Sequence, residues 1–217
     1  ARAALRAGAG LVTAAAPGAG IADIKNGWPE IMTLPLGETQ GRWPASLPEH
    51  FVELAGRCAA LVVGPGMGRG ADAADFMAAL LALPHRPPTV FDADALMLMA
   101  GRLDLQARLH AHDVLTPHPG EAAALLGCSA ADVQADRQSA LKRLCGLSRA
   151  VVVLKGAASL VGQGEAPTLL CPYDVPQLAV GGSGDVLAGC MGGLLARMLP
   201  KPQAPQSAAA DADNTAA

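Results

Sequence analysis

At 217 residues, with 51% hydrophobic, 16% charged and 3% aromatic positions, the chain has the size of a single α/β domain. Its 16 basic and 19 acidic residues leave a formal net charge of −3, which provides no basic field for phosphate backbones or acidic lipid and excludes a dedicated DNA-binding protein. Six large aromatics beside 25 glycines and 17 prolines exclude a base-stacking platform or an aromatic-rich sandwich, so the core must be built from Ala, Leu, Val and Met.

In chain order, Ala1–Ala9 reads as the last turns of a helix stopped by Gly8 and Gly10, so the chain is expected to begin inside its domain without an amino-terminal element. A strand over Gly10–Ala15 follows, then a stretch in which Trp28 and Trp43 read as packing or lid residues and Glu30 has no assigned role. The strand Ala59–Val63 runs into Gly64-Pro65-Gly66-Met67-Gly68, a turn at the carboxyl end of a strand, where open α/β sheets dock ligands. This turn lacks the third glycine of the dinucleotide fingerprint and reads equally as a tight connection to the helix Ala71–Leu83.

The strand Thr89–Phe91 ends in Asp92-Ala93-Asp94-Ala95, whose paired acids either orient a metal or a ligand hydroxyl or cap the helix Ala93–Ala100. His110, His112 and Asp113 have metal-like spacing without a further ligand motif and are taken as surface residues. After the strand Val114–Leu115, two prolines stiffen Thr116-Pro117-His118-Pro119-Gly120-Glu121 and hold His118 and Glu121 in place, for recognition or as a loop histidine and a dipole-favoured acid opening the helix Glu121–Leu126. A helix over Ala130–Leu147, with Val133, Leu141 and Leu144 on one side, is expected to lie on a sheet face.

The strand Ala150–Leu154 is closed by Lys155-Gly156, one of four lysines, placed where a charge at the end of an apolar run calls for solvent or an anion. Runs at Ser159–Val161 and Thr168–Cys171 read as a hairpin. Then comes the sharpest signal, Val180-Gly181-Gly182-Ser183-Gly184-Asp185, a glycine turn feeding the helix Gly184–Met198. Side-chain-free residues let N–H groups converge on an anion, and the helix amino terminus adds unpaired donors and partial positive charge. Asp185 in its mouth could take the proton of an attacking hydroxyl, or could be an ordinary first-turn acid. Residues 1–199 thus form one domain, and Pro200–Ala217, without hydrophobic period, is expected to be a disordered tail.

No apolar run reaches the roughly 18 residues of a membrane span and no secretory leader is visible, so the expectation is a soluble cytoplasmic protein with no membrane partner. The five cysteines are odd in number and never closer than 17 positions, which suggests buried small hydrophobes rather than disulfides or a zinc knuckle. Alternation of strands and helices sets the class: α/β, with a mostly parallel central sheet.

In order and spacing these turns resemble the ribokinase-like superfamily, and within it the ADP/ATP-dependent NAD(P)H-hydrate dehydratases. The segments that carry the likeness are Ala7 to Thr13, Val63 to Gly68, Asp92 to Leu96, Leu115 to Glu121, Val153 to Ala157 and Gly181 to Gly189, with the Pro117-His118-Pro119-Gly120-Glu121 loop the discriminating piece. The resemblance implies a three-layer fold with helices on both faces of the sheet. It also implies repair of hydrated NADH or NADPH: a nucleotide, ADP or ATP, phosphorylates the C6 hydroxyl of the S form, and phosphate is then eliminated. Under it Asp185 is the base or the group that orients the hydroxyl; Lys155, Gly156, Ala157, Ala158, Ser159, Gly182, Ser183 and Gly184 hold the nucleotide; and Gly66, Gly68, His118, Pro119, Gly120 and Asp185 hold the substrate. Glu121 takes the Mg²⁺-associated position. A homo-oligomer, and an NAD(P)H-hydrate epimerase as partner or fused domain, are further expectations. The competing readings are a kinase of a small alcohol or vitamin precursor on the same fold, and a nucleotide-binding remnant without activity.

Overall fold

The computed structural model describes residues 1–37 and 41–198. The helices are α1 (Arg2–Arg6), α2 (Gly18–Gly27), α3 (Glu49–Arg57), α4 (Ala71–Leu81), α5 (Asp94–Met99), α6 (Leu103–Gln106), α7 (Pro119–Leu126), α8 (Ala130–Ala135), α9 (Arg137–Leu147) and α10 (Ser183–Met198). The strands are β1 (Thr13–Pro17), β2 (Met32–Leu36), β3 (Leu61–Val63), β4 (Thr89–Phe91), β5 (Val114–Leu115), β6 (Val151–Leu154), β7 (Leu160–Gly162) and β8 (Leu169–Leu170). The sheet order is β3-β4-β5-β6-β7-β8, parallel through β6 and then an antiparallel meander, while β1 and β2 pair in parallel as a separate ribbon.

Alternation along each strand divides the core into two. Phe91, Leu115 and Val152 share one register row and face the larger cluster, with Met77, Leu80, Leu96, Met99, Leu141 and Leu144 from the crossover helices. Val90, Val114 and Val153 point the other way, onto Ala188, Met191 and Leu195 of α10. Strands that follow one another in order without a reversal put their crossover helices on one face when the crossovers share a hand, as parallel crossovers do, leaving α10 and α1 to cover the other. The result is the three-layer arrangement expected, and it delivers the ends of β3, β4, β5 and β6 to a single edge.

Several expectations are corrected. The strand expected over Gly10–Ala15 starts later, at Thr13, and the sequence reading gave no α2, β2, α3 or α6. The helix expected over Ala130–Leu147 breaks at Asp136, whose side chain caps α9 by accepting from the Ser139 N–H at 2.9 Å. Asp113 is no surface residue: with Arg86 it forms a fully buried, bidentate ion pair at 2.6 and 2.7 Å, and it also accepts from the Thr89 N–H. Of the cysteines only Cys145 is buried; Cys58, Cys128 and Cys190 are half-buried, and Cys171 is exposed. Burial pushes the Cys58 and Cys145 thiols up. No described helix is long and apolar enough to cross a membrane. The proposed tail, Pro200–Ala217, lies outside the described residues.

Candidate active site

The site is assembled at the carboxyl edge of the parallel strands. β4 ends at Asp92, 1% exposed, whose Oδ1 accepts from the Thr116 hydroxyl and from Lys155 Nζ, each at 2.8 Å. A buried carboxylate is costly unless paired, and here it is paired by a cation from β6 and a hydroxyl from β5. Lys155 Nζ also lies 3.8 Å from Glu121 Oε2, so one ammonium sits between two acids, one following β4 and one in the first turn of α7. Asp92 is followed by Ala93 at φ 51 and ψ −119, outside the usual region for a residue with a Cβ, at a cost of about 1–3 kcal/mol. The preceding turn is pressed against it: Gly64 has φ +121, and a Cβ there would overlap the Asp92 carbonyl oxygen.

Asp94 has a different task. Its carboxylate accepts from the Gly68 N–H at 2.9 Å and from Arg69 Nε at 2.7 Å, so it holds the turn carrying Gly66 and Gly68. Neither acid caps α5 through its side chain, which settles the capping alternative. From outside, the Trp43 indole donates to the Met67 carbonyl at 2.8 Å and packs on Phe76, while the Trp43 N–H donates to Asp72 Oδ2. Trp43 is therefore a brace for the turn. Trp28, elsewhere, stacks under the Arg2 guanidinium at 3.3 Å.

His118 and Glu121 form a reciprocal cap at the start of α7. His118 Nδ1 accepts from the N–H groups of Gly120 and Glu121, and Glu121 Oε2 accepts from the His118 N–H at 2.8 Å, with Pro119 in the first turn. Because Nδ1 accepts, a neutral ring carries its proton on Nε2, which lies 3.4 Å from Glu121 Oε1 on an exposed side chain. The prolines thus do what their stiffness suggests: they fix a histidine donor and a 6% exposed carboxylate beside Lys155.

The segment Lys155 to Ser159 leaves β6 through Gly156 at φ +145 and Ala158 at φ 52, with the Ser159 hydroxyl donating to the Gly156 carbonyl at 3.0 Å. The Lys155 N–H donates to the Pro117 carbonyl at 2.8 Å, tying it to the His118 turn. Opposite, Gly182 at φ +84 delivers Ser183 and Gly184 to the first turn of α10. A Cβ on Gly184 would stand 3.4 Å from Lys155 Nζ and 3.5 Å from Asp92 Oδ2, so this amino terminus abuts the buried pair. Asp185 follows on the exposed side of the same turn.

The residues picked from sequence at the ends of β4, β5 and β6 and at α10 thereby meet, while Gly66 and Gly68 line the rim beside Asp94. Sequence reading missed Thr116 as a partner of Asp92, and Arg137, whose guanidinium reaches the carbonyls that open the Lys155 segment. A polar residue directly after a strand was the available signal for Thr116; nothing in the pattern around α9 marks Arg137. Among the described residues no group of three or more His, Cys, Asp or Glu side chains is placed to hold a metal ion by itself. The oxygens of Asp92 and Glu121 are the hard donors that suit Mg²⁺ once a nucleotide's phosphates supply the remaining ligands. The arrangement offers a helix amino terminus, a lysine and glycine-rich main chain to an anion, with a solvent-facing carboxylate next to it. That is the equipment of phosphoryl transfer.

Comparison with known proteins agrees. The family model described as NAD(P)H-hydrate dehydratase matches residues 1–217. A curated relative, the bifunctional NAD(P)H-hydrate repair enzyme of Moorella thermoacetica, is 40% identical over 198 residues, 89% of this chain and 37% of its own length. Among solved structures, the ADP/ATP-dependent NAD(P)H-hydrate dehydratase of Bacillus subtilis, co-crystallised with ATP and Mg²⁺ and soaked with CoA, superposes with a TM-score of 0.68 at 25% identity, covering 89% of this chain and 66% of that one. A ribokinase-like superfamily protein of Enterococcus faecalis gives a TM-score of 0.75 at 22% identity, covering 90% and 64%, a likeness of fold. The chain therefore spans well under half of the Moorella relative and about two thirds of each structural neighbour.

Proposed function

Because the chain belongs to the NAD(P)H-hydrate dehydratase family, we propose that it carries out the nucleotide-dependent dehydration of (S)-hydrated NADH and NADPH, returning the dihydropyridine coenzyme. One observation carries the reading: Asp92, Lys155 and Glu121 converge at the amino terminus of α10, whose first turn carries the exposed Asp185. The terminal phosphoryl group of ADP or ATP would rest on the N–H groups of Ser183 and Gly184 and the Lys155 ammonium, while Lys155 to Ser159 follow the rest of the nucleotide. Mg²⁺ would be held by Glu121 with Asp92 in reach, and when bound it screens the phosphates.

Asp185 accepts the proton of the C6 hydroxyl as that oxygen takes the phosphoryl group. Helix donors hold the charge that develops on the equatorial oxygens. The phosphate ester then breaks at its C–O bond, pushed by the ring nitrogen's lone pair; loss of the C5 proton restores the C5–C6 double bond. Gly66, Gly68 and His118 to Gly120 bound the side on which the hydrated ring would lie. A homo-oligomer, and an epimerase partner or fused domain that supplies the S form, belong to the same proposal.

The test is incubation of the protein with hydrated NADH, Mg²⁺ and either ADP or ATP, following the near-ultraviolet absorbance of the dihydropyridine. Recovery of that absorbance with release of inorganic phosphate is expected. Accumulation of a stable phosphate ester of an alcohol, with no recovery, would overturn the reading in favour of a kinase. Asp185→Asn should lower turnover by about 10²–10⁴-fold while nucleotide affinity stays within several-fold, because the base is lost and the donors remain. An unchanged rate would remove Asp185 from the mechanism.

A further inference from the structure

The Lys155 to Ser159 segment is held by a residue from another element. Arg137, half-buried in the first turn of α9, donates through Nη2 to the Leu154 carbonyl at 3.1 Å, and both terminal nitrogens lie 3.4 Å from the Lys155 carbonyl. Nη1 also donates to Gln134 Oε1 at 2.8 Å, which fixes the guanidinium from the side of α8. Burial draws its pKa down, so desolvation opposes placing this cation here unless the carbonyl contacts compensate. Gly156 is the matching half of the device. It sits at φ +145, and a Cβ on it would stand 2.7 Å from Arg137 Nη1, so the guanidinium occupies the space a side chain would take.

A trans peptide is planar, so its N–H points away from its C=O. Turning the Leu154 carbonyl to Arg137 directs the Lys155 N–H to the other side, where it meets the Pro117 carbonyl at 2.8 Å. By the same geometry, the Lys155 carbonyl faces Arg137 and the Gly156 N–H faces away from it. Among the described residues the N–H groups of Gly156 and Ala157 make no hydrogen bond.

We infer that Arg137 is a positioning residue for nucleotide: by holding back the Lys155 carbonyl, with that of Leu154, it presents the Gly156 N–H donor beside the Lys155 side chain to a phosphate-bearing ligand. The inference rests on the nucleotide reading of this segment and adds to it the residue that sets the segment's polarity. Without the guanidinium, the Lys155 carbonyl oxygen is free to turn toward the phosphates and repel them, whereas the Leu154 peptide stays tied by the Lys155 N–H to Pro117. Lysine has three donors but on one compact nitrogen, so it cannot span the Leu154 and Lys155 carbonyls and Gln134 as the planar fork does.

The experiment is titration calorimetry with ADP on the whole chain, paired with steady-state kinetics, for wild type, Arg137→Ala, Arg137→Lys and Gly156→Ala. Arg137→Ala should raise the ADP Kd and the nucleotide KM by about 10-fold or more, with kcat and the KM for hydrated NADH within about 3-fold of wild type. Arg137→Lys should recover part of the loss. A purely structural arginine would lower the melting temperature without splitting the two KM values. Wild-type nucleotide Kd and KM in Arg137→Ala would overturn the inference and leave the nucleotide reading standing; wild-type protein that binds no ADP would overturn both. Should Arg137→Ala fail to fold, Gly156→Ala, which displaces the guanidinium with Arg137 still present, carries the test, and unchanged nucleotide affinity there would also overturn it.

Discussion

At the scale of single residues, the glycine turn between β3 and α4 shows how little freedom the site leaves. Gly64 is pressed onto the Asp92 carbonyl, so Gly64→Ala must push β3 from β4 or twist the strained Ala93 peptide. We expect a loss of more than about 2 kcal/mol in denaturant unfolding, with turnover falling further than nucleotide binding because the rim moves. Gly66→Ala, with open space around its Cβ, should cost less in stability, about 1 kcal/mol for the positive φ alone. Equal losses at the two positions would show that the overlap is relieved at no cost. The same turn is braced by Asp72, and here pH has a definite sign. The Trp43 N–H bond, followed by other main-chain donors, holds the Asp72 carboxyl below the usual carboxylate range. A depressed folded-state pKa contributes stability that is fully present above the unfolded value of about 3.9 and is lost as pH falls through the folded one. In a Trp28→Phe background, Trp43 emission should therefore shift only on the acid side of that value, and Asp72→Asn should flatten the transition. An acid limb identical in both would detach it from Asp72.

At the scale of elements, what the sequence discloses follows from whether a segment's neighbours are local. The strands β4, β5 and β6 are short apolar runs followed by Asp92, Thr116 and Lys155, and a residue at the end of a buried parallel strand has nowhere to go but the site edge; Asp92 and Lys155 were legible on this ground, while the bond from Thr116 to Asp92 was not. The elements α2 and β2 were not: α2 has no buried residue and β2 contains Pro35, so neither shows a clean period. His118 was legible as a fixed loop residue but not as a cap, because its imidazole replaces the usual serine or aspartate. Asp113 was misread for a related reason: its partner Arg86 lies 27 positions away, and no local pattern announces a buried pair. That pair locks the starts of β4 and β5, at the opposite ends of the strands that carry Asp92 and Thr116. Asp113→Ala would strand a buried guanidinium, whose Nε already has no partner, and should cost about 3–5 kcal/mol. Arg86→Met combined with Asp113→Leu should cost markedly less, with KM values near wild type in the folded fraction. A double variant as unstable as the single one would mean the pair does more than balance its own burial.

For the whole molecule, the decisive feature is that the sheet's two faces are covered unequally while the site needs both. On one side, helices from α3 to α9 pack into a broad core; on the other, Val90, Val114 and Val153 meet little more than α10, itself backed by α1. That thin layer holds by backbone proximity rather than by side-chain bulk. A Cβ on Gly193 would stand 2.6 Å from the Ala4 carbonyl, and one on Gly189 would stand 2.9 Å from the Ala3 Cβ, so the glycines that weaken α10 as a helix let α1 lie against it. Few buried apolar side chains secure this face, so it should open first, as a unit of low local stability. Native-state hydrogen exchange should show the amides of α1 and α10 exchanging through openings smaller than global unfolding, while those of β4, β5 and α9 require the full transition. Gly193→Val should widen the gap, speeding exchange in α10 with β4 and β5 still protected. Because the amino terminus of α10 faces Lys155 and Asp92 across the site, that variant should also lose nucleotide affinity although the substitution lies about two and a half turns further along the helix. Uniform protection across both layers, or a Gly193→Val variant with wild-type nucleotide binding, would show instead that α10 is anchored at its site end independently of its packing on α1.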